Sequence, residues 1–166
     1  MRNNDITENI KVIFLDIDGV LNSSAYDRER KENDGNIDET RLPLIKRVVD
    51  ETQAKIVLSS SWRTHWNRNL SLCDSVGKDM TALFAVYQLE IYDKTPVLSS
   101  NDRAEEIRMW LDKNKTVTHF VILDDNRFGW GELLEYLVST SYRIGRGLEE
   151  KHLLEAIRLL NCENES

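Results

Sequence analysis

The chain has 166 residues, 40% of them hydrophobic, and a formal net charge of −7 at pH 7. That is enough for one domain with a real core, and it excludes general disorder. The acidic balance also excludes broad, non-specific adhesion to nucleic acid, because no basic excess is present to neutralise phosphates; a local basic groove stays compatible with it.

The first residues, "MRNNDITENIK", are polar and do not read as a signal peptide. Residues 11–15 form a short apolar run that predicts a buried strand, followed at once by Asp16, Asp18 and Gly19 in "VIFLDIDGVL". Residues 22–37 are polar and turn-rich, which predicts a loop or short flap. From Asp38 the pattern becomes helical: Leu42, Ile45, Val48 and Val49 recur at helical spacing, and Pro43 suits a first turn. "AKIVLSSS" predicts a second strand ending in small polar residues. Residues 62–89 read as broken helix, punctuated near Gly77, with Asp79 as a cap for the segment that follows.

"EIYDKTPVL" predicts a hairpin or an edge strand, since Pro96 cannot serve a central one. "SNDRAEEIRMWLDKN" opens with capping residues and carries the stripe Ile107, Trp110 and Leu111, which predicts a helix. "TVTHFVIL" is a third apolar strand and ends in Asp124 and Asp125. "WGELLEYLV" predicts a helix, "SYRI" a short edge strand and "LEEKHLLEAIRLL" a terminal helix. No apolar run approaches the roughly 20 residues a membrane span needs. Cys73 and Cys162 sit in unrelated contexts, which predicts free thiols in a reducing, cytoplasmic setting.

This alternation predicts an α/β fold: a Rossmann-like, three-layer, mostly parallel sheet with helices on both faces. It would form one domain over 1–166, with the flap at 22–37 and a small helical insert at 64–93.

The three most apolar strands share an ending. The first runs into Asp16 and Asp18, the second into Ser59, Ser60 and Ser61, the third into Asp124 and Asp125. Ligands of open parallel sheets bind outside the carboxyl ends of the strands. If the three strands are neighbours, four carboxylates meet in one crevice and repel one another unless a cation joins them. An all-oxygen set of this kind suits Mg²⁺. A rigid carboxylate such as Asp16 can then attack phosphorus, and a second, Asp18, can protonate the leaving oxygen and later activate water. The hydroxyl of Ser59 or Ser60 can hold phosphoryl oxygens. Arg103 is the best placed cation, with Lys94 second, and Arg63 with Trp66 is a candidate pair for substrate contact.

These motifs, in the order "DIDGVL", "IVLSSSWR", the basic residue opening "RAEEIRMWL", and "ILDD", resemble the four motifs of the haloacid dehalogenase (HAD) superfamily of aspartate-based phosphatases. The resemblance implies a HAD-like fold with a minimal cap. It implies Asp16 as nucleophile and Mg²⁺ ligand, and Asp18 as general acid/base with its backbone carbonyl on the metal. Ser59, or else Ser60, would bind phosphate; Arg103 would pair with phosphate and nucleophile, at a position where the family usually has Lys; Asp124 and Asp125 would bind the metal. "SSSWR", "ILDD" and the late "GL" before the terminal helix also look like the small phosphatase-like domains associated with RNA repair proteins. That likeness implies a nucleotide or nucleic-acid end phosphate as substrate, besides small phosphorylated molecules. An insert as short as 22–37 leaves the site open enough for a polymer end.

Two other readings bear on the same residues. A non-catalytic phosphate-binding module of this fold would not need both Asp16 and Asp18. Asp124, Asn126, Gly129 and Glu135 imitate the spacing of a calcium loop, but Phe128 stands at a ligand position and a strand precedes the loop where an EF-hand needs a helix. His65, His119 and His152 lack ligand spacing and are assigned structural roles.

Overall fold

The computed structural model describes residues 8–162. Five strands form one all-parallel sheet in the order β3-β2-β1-β4-β5: β1 Ile10–Leu15, β2 Lys55–Leu58, β3 Ile91–Lys94, β4 Val117–Asp124 and β5 Leu137–Ser139. Strand side chains alternate between faces, so a run that is apolar throughout requires cover on both. In β1, Ile13 and Leu15 enter one core while Val12 and Phe14 enter the other. β2 and β4 divide in the same way, with Ile56, Leu58, Val121 and Leu123 on the first face and Val57 and Ile122 on the second.

The helices follow from this demand. α2 (Leu42–Thr52) and α5 (Glu150–Asn161) cover the first face with Leu42, Ile45, Val48, Leu153, Ala156 and Leu160. α4 (Arg103–Lys113) covers the second with Ala104, Ile107 and Trp110. Trp110 meets the Phe14 ring edge-on, with centroids 5.4 Å apart. Phe14 is fully buried, so truncating it to Ala would cost about 3–5 kcal/mol.

Several local expectations need correction. The 22–37 flap is not all loop: Ser23 accepts a hydrogen bond from the Tyr26 N–H at 3.2 Å and so caps α1 (Ser24–Arg30), which Lys31 ends in the left-handed conformation. In the 64–93 insert, α3 spans Ser75–Val86 and is capped by Asp74, not Asp79. Gly77 lies inside this helix instead of breaking it, because a Cβ there would overlap the His65 carbonyl oxygen. For 90–98, expected as a hairpin or an edge strand, the edge strand holds: β3 pairs in parallel at the sheet edge. "WGELLEYLV" divides into a 3₁₀ turn (Gly131–Tyr136) and the edge strand β5. Leu133 and Val138 serve opposite faces of the sheet, as a strand entry requires and one continuous helical stripe would not allow. The strand predicted over 141–144 is therefore displaced to 137–139. Cys73 and Cys162 are free thiols, and no helix among the described residues is long and apolar enough to cross a membrane.

Candidate active site

The strand order reverses direction at β1, with β2 on one side and β4 on the other. This is the topological position at which an open parallel sheet leaves a crevice. Asp16 follows β1 directly and its N–H donates to the Leu123 carbonyl at 3.0 Å, so the sheet ladder aims it. Asp124 is the last residue of β4. Oxygens of Asp16, Asp124 and Asp125 lie within 4.8 Å of one another. Arg103, the first residue of α4, reaches between two of them: its Nη1 lies 2.8 Å from Asp16 Oδ2 and 2.6 Å from Asp124 Oδ2. The Asp102 side chain caps α4 by accepting from the Glu105 N–H, which fixes where the helix begins and hence where Arg103 projects. Gly19 turns the chain away with a positive φ of 78°, and a side chain there would collide with the Asp125 carboxylate.

Three carboxylates and one guanidinium leave this tip under-compensated. Burial, then the neighbouring Asp124, push the Asp16 carboxyl up to about 6, against the pull of Arg103. Burial also raises Asp124, though Arg103 works against it, and burial with the Asp16 charge raises Asp125. For Arg103 burial acts to lower the guanidinium, but Asp16 and Asp124 outweigh it and hold it firmly protonated.

Asp18 lies beyond the strand and is exposed. Two side chains hold its carboxylate. Asn22 Nδ2 donates to Oδ1 at 2.9 Å, and Trp62 Nε1 donates to Oδ2 at 3.2 Å. Asn22 is fully buried and also accepts from the Gly19 N–H at 2.8 Å, so one amide ties the turn and the acid together. Nothing in a single sequence marks Asn22 for this role. The signal for Trp62 was its place directly after the serine run.

The register sets Ser59 level with Asp16, since Leu15 pairs with Leu58 and the Ser59 N–H donates to the Leu15 carbonyl at 3.0 Å. Ser59 Oγ is buried without a hydrogen-bond partner. Ser60 Oγ is engaged, accepting from the Trp62 N–H at 3.2 Å as the cap of a 3₁₀ turn over Ser61–Thr64.

Arg63, Trp66 and Lys94 are not brought to the acids. Arg63 is 5% exposed, donates to the Ser59 and Ser60 carbonyls at 3.0 and 2.8 Å, and pairs with buried Glu106 at 2.7 Å. Lys94 Nζ is occupied by the Arg63 and Trp66 carbonyls at 3.0 and 2.5 Å. Trp66 is packed into the core. The Arg63 and Lys94 donors thus shape the turn that carries the serines.

A crevice of ≈ 360 Å³ opens at the acids, walled by Asp16, Asp18, Asp125, Ser61, Arg103 and Trp130. The residues fit a hard divalent cation: the donors are all carboxylate oxygens, and the negative charge exceeds what Arg103 offsets. Asp18 is outside the three-acid cluster but on the same wall. Glu135 is absent from the crevice lining, and a strand and a 3₁₀ turn stand where a calcium loop would need flanking helices. The arrangement can bring a fixed carboxylate, a second exposed carboxylate and a guanidinium to a single phosphoryl-sized anion.

The family described as "HAD domain in Swiss Army Knife RNA repair proteins" matches residues 12–153, which takes in every strand tip described above. No curated protein matches the chain, and no solved structure matches it.

Proposed function

Because the chain belongs to the family of HAD domains in Swiss Army Knife RNA repair proteins, we propose that it hydrolyses phosphomonoesters, including nucleotide or nucleic-acid end phosphates, in the cytoplasm. Asp16 attacks phosphorus in line with the leaving oxygen and forms an aspartyl-phosphate. Asp18, steadied by Asn22 and Trp62, gives its proton to the leaving oxygen and then takes one from the attacking water. Arg103 keeps Asp16 oriented and neutralises part of the charge on the phosphoryl oxygens. Ser59, with its unsatisfied hydroxyl, is the better phosphate donor; Ser60 is already committed as a cap. Asp16, Asp124 and Asp125, with the Asp18 backbone carbonyl, would hold Mg²⁺, which when bound spreads the negative charge of the transferring phosphoryl group.

The single observation that carries this reading is the Arg103 guanidinium seated between Asp16 and Asp124 at the mouth of an open crevice. The test is a panel of free nucleotides, sugar phosphates and oligonucleotides with 3′- or 5′-phosphate, assayed with Mg²⁺ for phosphate release. Asp16→Asn is expected to lower turnover by about 10⁴-fold or more. A mutant with wild-type turnover would remove Asp16 as nucleophile. Tight binding of a phosphomonoester with no release from any substrate would assign the chain as a binding module instead.

A further inference from the structure

Arginines in this molecule are almost all spent on carboxylates. Among the described residues, nine of them (Arg30, Arg41, Arg47, Arg63, Arg68, Arg103, Arg108, Arg146 and Arg158) stand in ion pairs. The other three, Arg28, Arg127 and Arg143, form none; Arg28 has only a 3.2 Å bond to the Ser24 hydroxyl. All three are exposed, and they are not scattered. Arg127 and Arg143 line a groove of ≈ 430 Å³ that shares the wall residue Asp125 with the reaction crevice. Arg28 and Lys31 line a further groove of ≈ 510 Å³ that shares Tyr142 with the first. The Tyr142 hydroxyl donates to Asp27 at 2.5 Å, which fixes the ring between the two grooves. The acids of the farther groove are partly offset: Asp27 accepts from Tyr142 and pairs with Arg30, and Glu32 pairs with the same Arg30 at 3.0 Å. Two large apolar side chains stand in solvent along the same edge, Phe128 at 82% exposure on the crevice wall and Ile144 at 79% in the first groove.

We propose that the reaction crevice continues into a track for single-stranded nucleic acid, on which Arg127, Arg143 and Arg28 hold successive backbone phosphates of a strand whose terminal phosphate lies at Asp16. The inference rests on the phosphohydrolase reading for the position of that terminal phosphate. Unpaired cations set in sequence away from one phosphate site match an anion that repeats along a chain, which a phosphopeptide or a sugar phosphate does not supply. Guanidinium forks suit phosphodiester oxygens, and the exposed Phe128 ring beside the crevice offers the terminal base a face on which to stack. A local track of this kind is also how a chain of net charge −7 can bind a polyanion without general adhesion.

The test uses the full chain in two assays. In the first, fluorescence anisotropy follows a labelled single-stranded oligonucleotide with a 3′- or 5′-phosphate on the Asp16→Asn background, where turnover does not consume the probe. Arg127→Gln, Arg143→Gln and Arg28→Gln are each expected to weaken binding about threefold to fivefold, the size of an exposed charge contact. Each should also flatten the salt dependence by about 0.7 in log–log slope, as expected for one phosphate contact on a single strand. Lys113→Gln removes an exposed charge at the far end of α4 and serves as the control for net charge. In the second assay, the arginine variants with Asp16 intact should lower kcat/KM for the oligonucleotide relative to p-nitrophenyl phosphate. The track is overturned if the triple variant binds the strand within twofold of its parent, if Lys113→Gln weakens binding as much as the arginine changes, or if a phosphoserine peptide binds as tightly as the oligonucleotide. Arginine-dependent strand binding without phosphate release from any substrate would overturn the phosphohydrolase reading while supporting the track.

Discussion

Arg63, in the turn after β2, and Arg103, at the start of α4, both approach the carboxyl ends of the central strands, and both pair with acids there. Around Arg63 both Nη donors are spent on the Ser59, Ser60 and Pro96 carbonyls and on Glu106, whose other oxygen accepts the Leu98 N–H at 2.9 Å. Around Arg103 the partners are carboxylates that also wall an open crevice. Residue type and nearness to the strand tips are the same in the two regions. What differs is whether the neighbours are already satisfied by protein: the first region is a fastening, and the second retains capacity for a ligand.

The widest separation between the two is expected from Arg63→Met. It strands Glu106 inside the protein and should cost about 3–5 kcal/mol in urea unfolding. A loss below 1 kcal/mol would mean the turn after β2 does not depend on this pair. Arg103→Gln should do the reverse, lowering kcat by about 10²–10³-fold while moving the unfolding midpoint far less, because Asp16 and Asp124, though buried, border the open crevice and their raised carboxyls can take up protons. Equal damage to stability from both substitutions would erase the distinction.

A smaller effect concerns pH. On the proposed metal site, metal and proton compete for Asp16, whose carboxyl is pushed up to about 6 by burial and by Asp124. Mg²⁺ affinity by calorimetry should therefore be about tenfold weaker at pH 5 than at pH 7.5. The same shift fixes the sign for stability. Between about 4 and about 6 the folded state holds a proton that the unfolded chain has released, so metal-free stability falls as pH rises through that window, and Mg²⁺ should remove the decline. The mildest change is Trp62→Phe, which takes one hydrogen bond from Asp18 and is expected to lower kcat about fivefold with KM nearly unchanged.

The central strands and the site at their tips were legible because both rest on strong, local signals. Apolar runs covered on two faces stand out, and so do acids placed directly at their ends. Arg103 was legible for the same reason, as the first basic residue after a capping Asp. The contribution of Arg63 was not: its buried partner Glu106 is 43 positions away, and one exposed-looking "SSSWR" carries no trace of it. The start of α3 was misjudged because Gly77 normally interrupts a helix, and only its closeness to the His65 carbonyl explains why a helix keeps it. The 130–138 segment has helical spacing in its leucines, but the open edge of β4 offers Leu137 and Val138 a ladder that spacing alone cannot reveal. The flap helix α1 depends on Ser23 as a cap and on Asp27 meeting Tyr142, a contact 115 residues apart.

The absent side chain at position 77 has reach beyond its own helix. His65, whose carbonyl lies against Gly77, closes the same 3₁₀ turn from which Trp62 extends to Asp18. Adding even a methyl group there would lever the turn outward and slacken the acid at its far end. On the proposed mechanism, a position outside the crevice lining thus governs how firmly the proton-transferring carboxylate is held.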